Sequence, residues 1–281
     1  MGLPDLAAYR AYLTAHPEEW AVLEGLVHIT ISRFNRDRAV FDLLAGEVLP
    51  VLAQDAAKRG SGAVEAWSAG CASGEEAYTL AIVWLLGFAA RAPGMTIRIV
   101  ATDVDETVLA RARQACYGAG SLREAPERWR DAAFVEREGR HCVSSPYRES
   151  VRILRHDIRE EPPGGPFDLV LCRNLAFTYF DEPGQRATAT RLALALRAGG
   201  ALVVGKHEAL PTGVEGFEPW SAGERIYRRV GAEVSGVCGT RDTGRRITPS
   251  PGSPSAEWAP SSAITPVRAP SAASTRSGVG S

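Results

Sequence analysis

The sequence has no apolar run long enough to cross a membrane. Its longest apolar stretch, Leu80 to Ala90, falls far short of the roughly 20 residues a spanning helix needs and reads as a buried helix. No charge of one sign dominates: 32 Lys and Arg against 33 Asp and Glu leave a formal net charge of -1, which gives no global field to draw nucleic acid or a membrane surface. The five cysteines, Cys71, Cys116, Cys142, Cys172 and Cys238, lack the paired short spacings of zinc or redox sites, so a reducing cytoplasm is the expected compartment. The start, MGLPDL, carries an early acid and no apolar signal run, and has Leu6 where a myristoylation signal wants Ser or Thr. No direct membrane insertion is expected. What remains is an ordinary globular composition, 45% hydrophobic and 23% charged, in a chain of 281 residues that can bury one enzyme-sized core.

Residues 1–60 read as a small helical subdomain. Leu6, Tyr9 and Leu13, then Trp20, Leu23 and Leu26, then Phe41, Leu44, Val48, Leu49 and Leu52 recur at three- and four-residue spacing. From Val64 the rhythm changes. AVEAWSAG, IRIVATD, VRILRHD, FDLVLCRN and ALVVG are short β-rich runs, and helical stretches start at Glu75, Glu106 and Pro183. Strands alternating with helices imply right-handed crossovers and a mostly parallel sheet covered on both faces. Residues 61–230 are therefore expected to form one Rossmann-like α/β domain. Within it, residues 116–149 are too long for a normal connection and read as an insert. EAPERWRDAAFV has a helical pattern and RHCVSSPYRESV that of a small hairpin, making the insert either surface decoration or a substrate-recognition element. Residues 231–281 turn to Ser, Pro, Ala, Gly and Thr, with Trp258 a lone aromatic, and read as a disordered tail.

Open α/β sheets bind ligands beyond the carboxyl ends of their strands, so Gly70, Asp103, Asp157 and Asn174, each ending a strand, should line one crevice. WSAGCASGEEAYTLAI, residues 67–82, reads as a strand end, a small-residue turn and the start of a helix. Its glycines match neither GxGxxG nor a phosphate cradle, and no lysine follows. Glu75 and Glu76 suit a helix N-terminus through the dipole alone, for ~0.3–1 kcal/mol each. They would also repel a pyrophosphate and accept a cation. Asp103 closes the next strand, where a carboxylate can accept both hydroxyls of a ribose. A ribose acceptor beside acids suited to a cation points to S-adenosyl-L-methionine, which has an adenosine, a sulfonium and an amino-acid end but no phosphate.

At these residues the chain resembles the CheR family of S-adenosylmethionine-dependent protein-glutamate methyltransferases, over about residues 5–230. ITISRFNRDRAVFDLL (29–44) resembles the family's T-x-FFR-[DE]…F-x-x-L segment. WSAGCASGEEAYTLA (67–81) resembles W-S-A-G-C-S-T-G-E-E-P-Y-S-x-A, and ATDVDETVLARARQACY (101–117) resembles A-T-D-I-D…L-x-x-A-R-x-G-x-Y. PFDLVLCRNLAFTYFD (166–181) resembles FD-x-I-x-CRN-V-x-x-YF, and GGALVVGKHEAL (199–210) resembles GG-x-L-x-x-G-x-x-E. The resemblance implies a class I methyltransferase sheet with a helical N-terminal subdomain and a small β insert. It implies cofactor contacts from Ser32 and Arg36, Glu75, Asp103, Asp157 and Ile158, and Asn174 and Leu175; Gly70 joins them from the turn. Its partner would be a protein presenting glutamates, a receptor or other signalling protein.

Methyl transfer from a sulfonium is an in-line displacement, so acceleration comes chiefly from alignment. A glutamate acceptor, with an ordinary pKa of about 4.3, is already ionised at neutral pH and needs no general base. The sequence shows no evident His–Asp or Cys–His pair. Arg36 could bind a carboxylate bidentately, on the methionine portion or on the acceptor. Tyr179 could cap the acceptor pocket or pack in the core. One extra residue separates it from Asn174 relative to the family spacing, which on a helix turns a side chain by about 100 degrees. These two are the candidate catalytic residues. His156, His207 and Cys172 read as structural, and no metal site is expected.

Two departures bear on function. Asn35 replaces the second Phe of FFR, removing a ring that would pack against ligand or core. Against the resemblance, the lead-in starts where the family's helical domain is usually half finished, so the earlier basic helix, to which the family's receptor docking is largely assigned, is not expected in residues 1–60. Rival readings are a small-molecule carboxylate as acceptor and a cofactor-binding signalling module without catalysis. A nucleic-acid methyltransferase is disfavoured by the near-neutral charge.

Overall fold

All five β-rich runs enter one seven-stranded sheet. The structure, a computed structural model, describes residues 5–16, 19, 32–220 and 225–231; the expectations for Trp20, Leu23 and Leu26 and for the tail beyond Gly231 lie outside those residues. In chain order the lead-in holds α1 (Leu6–Ala15), α2 (Arg38–Leu43) and α3 (Leu49–Lys58). Then come β1 (Ala63–Ala69), α4 (Glu75–Ile82), β2 (Thr96–Asp103) and α5 (Glu106–Gln114). The insert holds β3 (Cys116–Tyr117), α6 (Glu127–Ala133), β4 (Phe134–Arg137), β5 (Arg140–Val143) and α7 (Ser145–Glu149). The chain continues through β6 (Val151–Arg155), β7 (Phe167–Cys172), α8 (Ala176–Tyr179), α9 (Glu182–Ala195), β8 (Leu196–Val204), β9 (Phe217–Pro219) and β10 (Ile226–Arg229).

The sheet runs β6-β2-β1-β7-β8-β10-β9. Its first five strands pair in parallel, and β10 turns antiparallel against β8 and β9. The middle strand β7 is buried along its whole length, as a near-continuous apolar run demands of a strand covered on both faces. Its one polar side chain, Asp168, is compensated: it accepts the Glu65 backbone N–H at 2.9 Å and pairs with Arg59.

Helices pack on both faces. The stripe Val40, Phe41, Leu44, Val48, Leu49 and Leu52 is buried, carried through a π-helical turn (Leu44–Val48) that joins α2 to α3. The periodicity that predicts this face is therefore physical, and each fully buried Leu or Phe in it contributes ~1.5–3 kcal/mol. In α1 the stripe is weaker, with Leu13 buried but Leu6 85% exposed. On the other face Trp67, Phe167, Val170, Ala189 and Leu192 form a second cluster under α9. No helix among the described residues is long and apolar enough to cross a membrane.

The insert departs from expectation in two places. The hairpin is β4–β5, not RHCVSSPYRESV. Its two-residue turn, Glu138 and Gly139, has positive φ at both positions, the twist that tight hairpins favour. The following residues form the short helix α7, with proline in its first turn. The cysteines also pair: Cys116 and Cys142 face each other across the β3–β5 ladder and form a disulfide. Their separation of 26 residues is closed by strand register and leaves no short-spacing motif to read in the sequence.

Candidate active site

The turn after β1 is stitched to the end of β2, because Gly70 and Cys71 both donate their backbone N–H to the Thr102 carbonyl at 2.8 Å. Gly70 has φ 75°, a left-handed conformation that favours glycine, and a Cβ there would lie 2.5 Å from Leu175 Cδ2 and push that side chain aside. The Tyr117 hydroxyl, from β3, donates to the Ser73 carbonyl at 2.7 Å and holds the far side of the turn.

Asp103 is half-buried at the end of β2. Its Oδ2 accepts the Ala72 N–H at 2.9 Å and its Oδ1 the Asp105 N–H at 3.1 Å. An ionised carboxylate has about four lone-pair sites, so each oxygen keeps capacity for one more donor. That is the requirement for a ribose 2′,3′-diol.

The two adjacent acids of the turn differ sharply. Glu76 is neutralised internally: Arg173 Nη1 lies 3.1 Å from Oε2, and the Ser68 hydroxyl donates to Oε1 at 2.8 Å. Glu75 is 1% exposed and receives only neutral donors, the Ser73 hydroxyl at 2.8 Å and the Ser121 hydroxyl at 3.2 Å. Among the described residues no basic side chain pairs with it. A buried carboxylate without a cation is expensive, and a ligand ammonium is the group that would offset it.

Arg173 does more than neutralise Glu76. Its Nη2 lies 2.6 Å from Asp37 Oδ2 and 3.2 Å from the Arg36 carbonyl, and its guanidinium stacks on the Phe41 ring. The lead-in segment is thereby fastened to the loop after β7. Asn35 and Asp37 in that segment have φ 59° and 58°. Asn enters this left-handed region more readily than Phe, and Asn35 also donates to the Thr79 hydroxyl through N–H and to the Glu124 carbonyl through Nδ2. Asn35 thus suits its backbone and is an internal anchor.

Asn174 and Leu175 hang on a residue absent from the predicted site. Glu208, 3% exposed, accepts the Asn174 N–H at 2.7 Å, the Leu175 N–H at 3.2 Å, the Thr178 hydroxyl at 2.6 Å and the Gly205 N–H at 2.6 Å. Within CRNLAFTYF, Thr178 reaches Glu208, whereas Tyr179 is 73% exposed. Core packing for Tyr179 is therefore excluded.

Asp157 and Ile158 follow β6, which pairs with β2 so that Asp103 and Arg155 lie in register. Asp157 forms a forked pair with Arg159, whose hydrogen bonds hold its carboxyl below the usual range. Ile158 is buried in the cluster with Trp67 and Phe167. Ser32 and Arg36 are half-buried. Cys71 and Cys172 are buried, and burial pushes the Cys172 thiol up to about 12 and Cys71 well above its ordinary value, so neither is a thiolate nucleophile.

Gly70, Asp103, Asn174 and Leu175 thus gather around the ends of β1, β2 and β7, and the Arg36 carbonyl is tied to Arg173 of the same loop; Asp157 and Ile158 follow the neighbouring β6, and Tyr179 is exposed. A groove of about 520 Å³ bordered by Tyr78, Arg113 and Arg148 lies elsewhere and contains none of them. Sequence reasoning missed Arg173, Glu208 and Ser121. The first two stand inside quoted motifs, as the Arg of CRN and the Glu of G-x-x-E, and asking what neutralises Glu76 or anchors Asn174 would have pointed to them. Ser121 carries no sequence signal.

A parallel sheet in this order, a glycine turn after β1 and an acid ending β2 define a class I methyltransferase fold. Residues 30–226 match the family described as CheR methyltransferase, SAM binding domain. A chemotaxis protein methyltransferase of Listeria monocytogenes is 35% identical over 66% of this chain and 68% of its own length. That of Escherichia coli is 29% identical over 74% and 71%. An uncharacterised 104.1 kDa protein of Rhodobacter capsulatus is 32% identical over 93% of this chain, which spans only 27% of that protein. The chain belongs to the CheR methyltransferase family: it is an S-adenosyl-L-methionine-dependent methyltransferase. Glu75, without a basic partner among the described residues, and the spare acceptor capacity of Asp103 fit that cofactor.

Proposed function

We propose that this protein methylates glutamate carboxylates on a signalling protein of a chemotaxis-like pathway, forming methyl esters. Bound S-adenosyl-L-methionine supplies an electrophilic methyl group on a sulfonium. Asp103 would hold the ribose hydroxyls and Glu75 the ammonium, with Asp157, Ile158, Asn174 and Leu175 completing the cofactor side. Ser32 and Arg36 enter from the lead-in. Arg36, whose carbonyl is fixed by Arg173, would bind a carboxylate, and exposed Tyr179 would meet the incoming acceptor. No proton need be removed from an ionised glutamate, and alignment is the main demand on the protein. The names of the Listeria and Escherichia relatives support the chemotaxis-like assignment.

The observation that carries the reading is Glu75, a buried carboxylate supplied with two hydroxyls and no cation among the described residues. Calorimetric titration with S-adenosylhomocysteine, with NADH as control, tests the cofactor half: micromolar binding of the former alone is expected. Transfer of labelled methyl from the cofactor to a glutamate-bearing receptor fragment tests the acceptor half. Ester linkage predicts label released as methanol by base. Base-stable label would move the acceptor to nitrogen, and binding without any transfer would leave a cofactor-binding module.

A further inference from the structure

Glu75 is held by two hydroxyls of different origin. Ser73 belongs to the same turn and moves with it. Ser121 belongs to the insert, in the 3-10 turn Ala119–Leu122, and reaches Glu75 Oε1 across 46 residues of sequence. That turn is itself fixed: Leu122 is buried, its carbonyl accepts Arg130 Nη2 at 2.8 Å, and the Ser121 carbonyl accepts the Phe34 N–H at 3.0 Å. Phe34 in turn packs edge-on against Tyr117 and Phe134, so the insert and the lead-in meet beside Glu75.

We infer that Ser121 is a positioning residue for the cofactor's methionine end, acting through Glu75. A carboxylate with one donor can turn about its last side-chain bond. Donors on opposite oxygens fix its plane, and the remaining lone pairs then point in set directions. Ser73 supplies the first donor and Ser121 the second. The insert is on this account a wall of the cofactor site, which rules out surface decoration as its whole role. The inference rests on the reading of Glu75 as the ammonium acceptor.

Two ligands separate the terms. S-adenosylhomocysteine carries the amino-acid end, and 5′-methylthioadenosine has the same adenosine and a thioether without it. Ser121→Ala is expected to weaken S-adenosylhomocysteine about tenfold, the scale of a hydrogen bond to a charged group, and to leave 5′-methylthioadenosine unchanged. Ser121→Thr, which keeps the hydroxyl, should stay near wild type. Equal weakening of both ligands would mean that Ser121 merely holds the turn, and no change in either would remove it from the site; both results overturn the inference while leaving the cofactor reading intact. Failure of the wild-type protein to bind S-adenosylhomocysteine would overturn both.

Discussion

Asn174 donates its backbone N–H to Glu208 Oε2 at 2.7 Å, and the Gly205 N–H converges on the same oxygen at 2.6 Å. Two strand ends, those of β7 and β8, are thus joined by one buried carboxylate. Glu208→Gln places an amide where the site offers only donors. It is expected to lower stability by about 2 kcal/mol, or about 4–8 °C in Tm, and to weaken S-adenosylhomocysteine because Asn174 and Leu175 lose their anchor. Thermal melting and titration of the same variant check both, and an unchanged Tm would show the carboxylate to be dispensable.

Arg173 is the corresponding cation. Its side chain is 3% exposed and ties Glu76 to Asp37, residues of the turn and of the lead-in. Arg173→Met strands both acids and should cost about 3 kcal/mol in urea unfolding. Adding Glu76→Gln should recover part of that loss, because one stranded charge disappears. A double variant no better than the single would deny the coupling.

Asp103 tests the adenosine side. Its oxygens each accept one backbone N–H and have room for one hydroxyl. Asp103→Ala should weaken S-adenosylhomocysteine by at least ~1–3 kcal/mol. Affinity equal to wild type would take Asp103 out of the site.

What the sequence makes legible and what it hides divide along a physical line. β-rich runs and the acids that end them are local signals, so β1, β2, β6, β7 and β8 and the crevice residues Asp103 and Asn174 are readable in advance. Charge pairing is not local: Glu76 meets Arg173 across 97 residues, and nothing in GEE says which acid is neutralised and which is bare. Asn35 reads as a lost ring because the backbone angle that favours it is invisible until the chain is folded. The hairpin lies earlier than RHCVSSPYRESV for a similar reason: its turn, Glu138–Gly139, is defined by φ, and RHCV is its second strand, paired with Phe134–Arg137.

Asp157 gives a pH signature. Hydrogen bonds from Arg159 lower its carboxyl below its ordinary value of 3.8. A depressed folded value means that the stabilisation is complete above the unfolded pKa and is lost as pH falls through the folded one. Wild type and Asp157→Asn should therefore differ in Tm at pH 6, and the gap should close as pH drops below about 4. The gap should be small, because Arg159 is 70% exposed and solvent screens the pair. A gap that persists undiminished in acid would assign the effect to packing in place of charge.

The Cys116–Cys142 disulfide sits next to the machinery it would stabilise, since Tyr117, the residue after Cys116, anchors the Ser73 carbonyl. Closing a loop across a separation of 26 residues restricts the unfolded chain by an amount worth about 3 kcal/mol. Reduction with a dithiol should lower Tm, and Cys116→Ser should lower it equally, with no further loss when reductant is added to the variant. If the insert holds Glu75 as well as its own fold, S-adenosylhomocysteine affinity should fall with the bridge at temperatures where the protein remains folded. A fall in Tm with unchanged affinity would confine the disulfide to stability and leave Tyr117 and Ser121 able to position the turn without it.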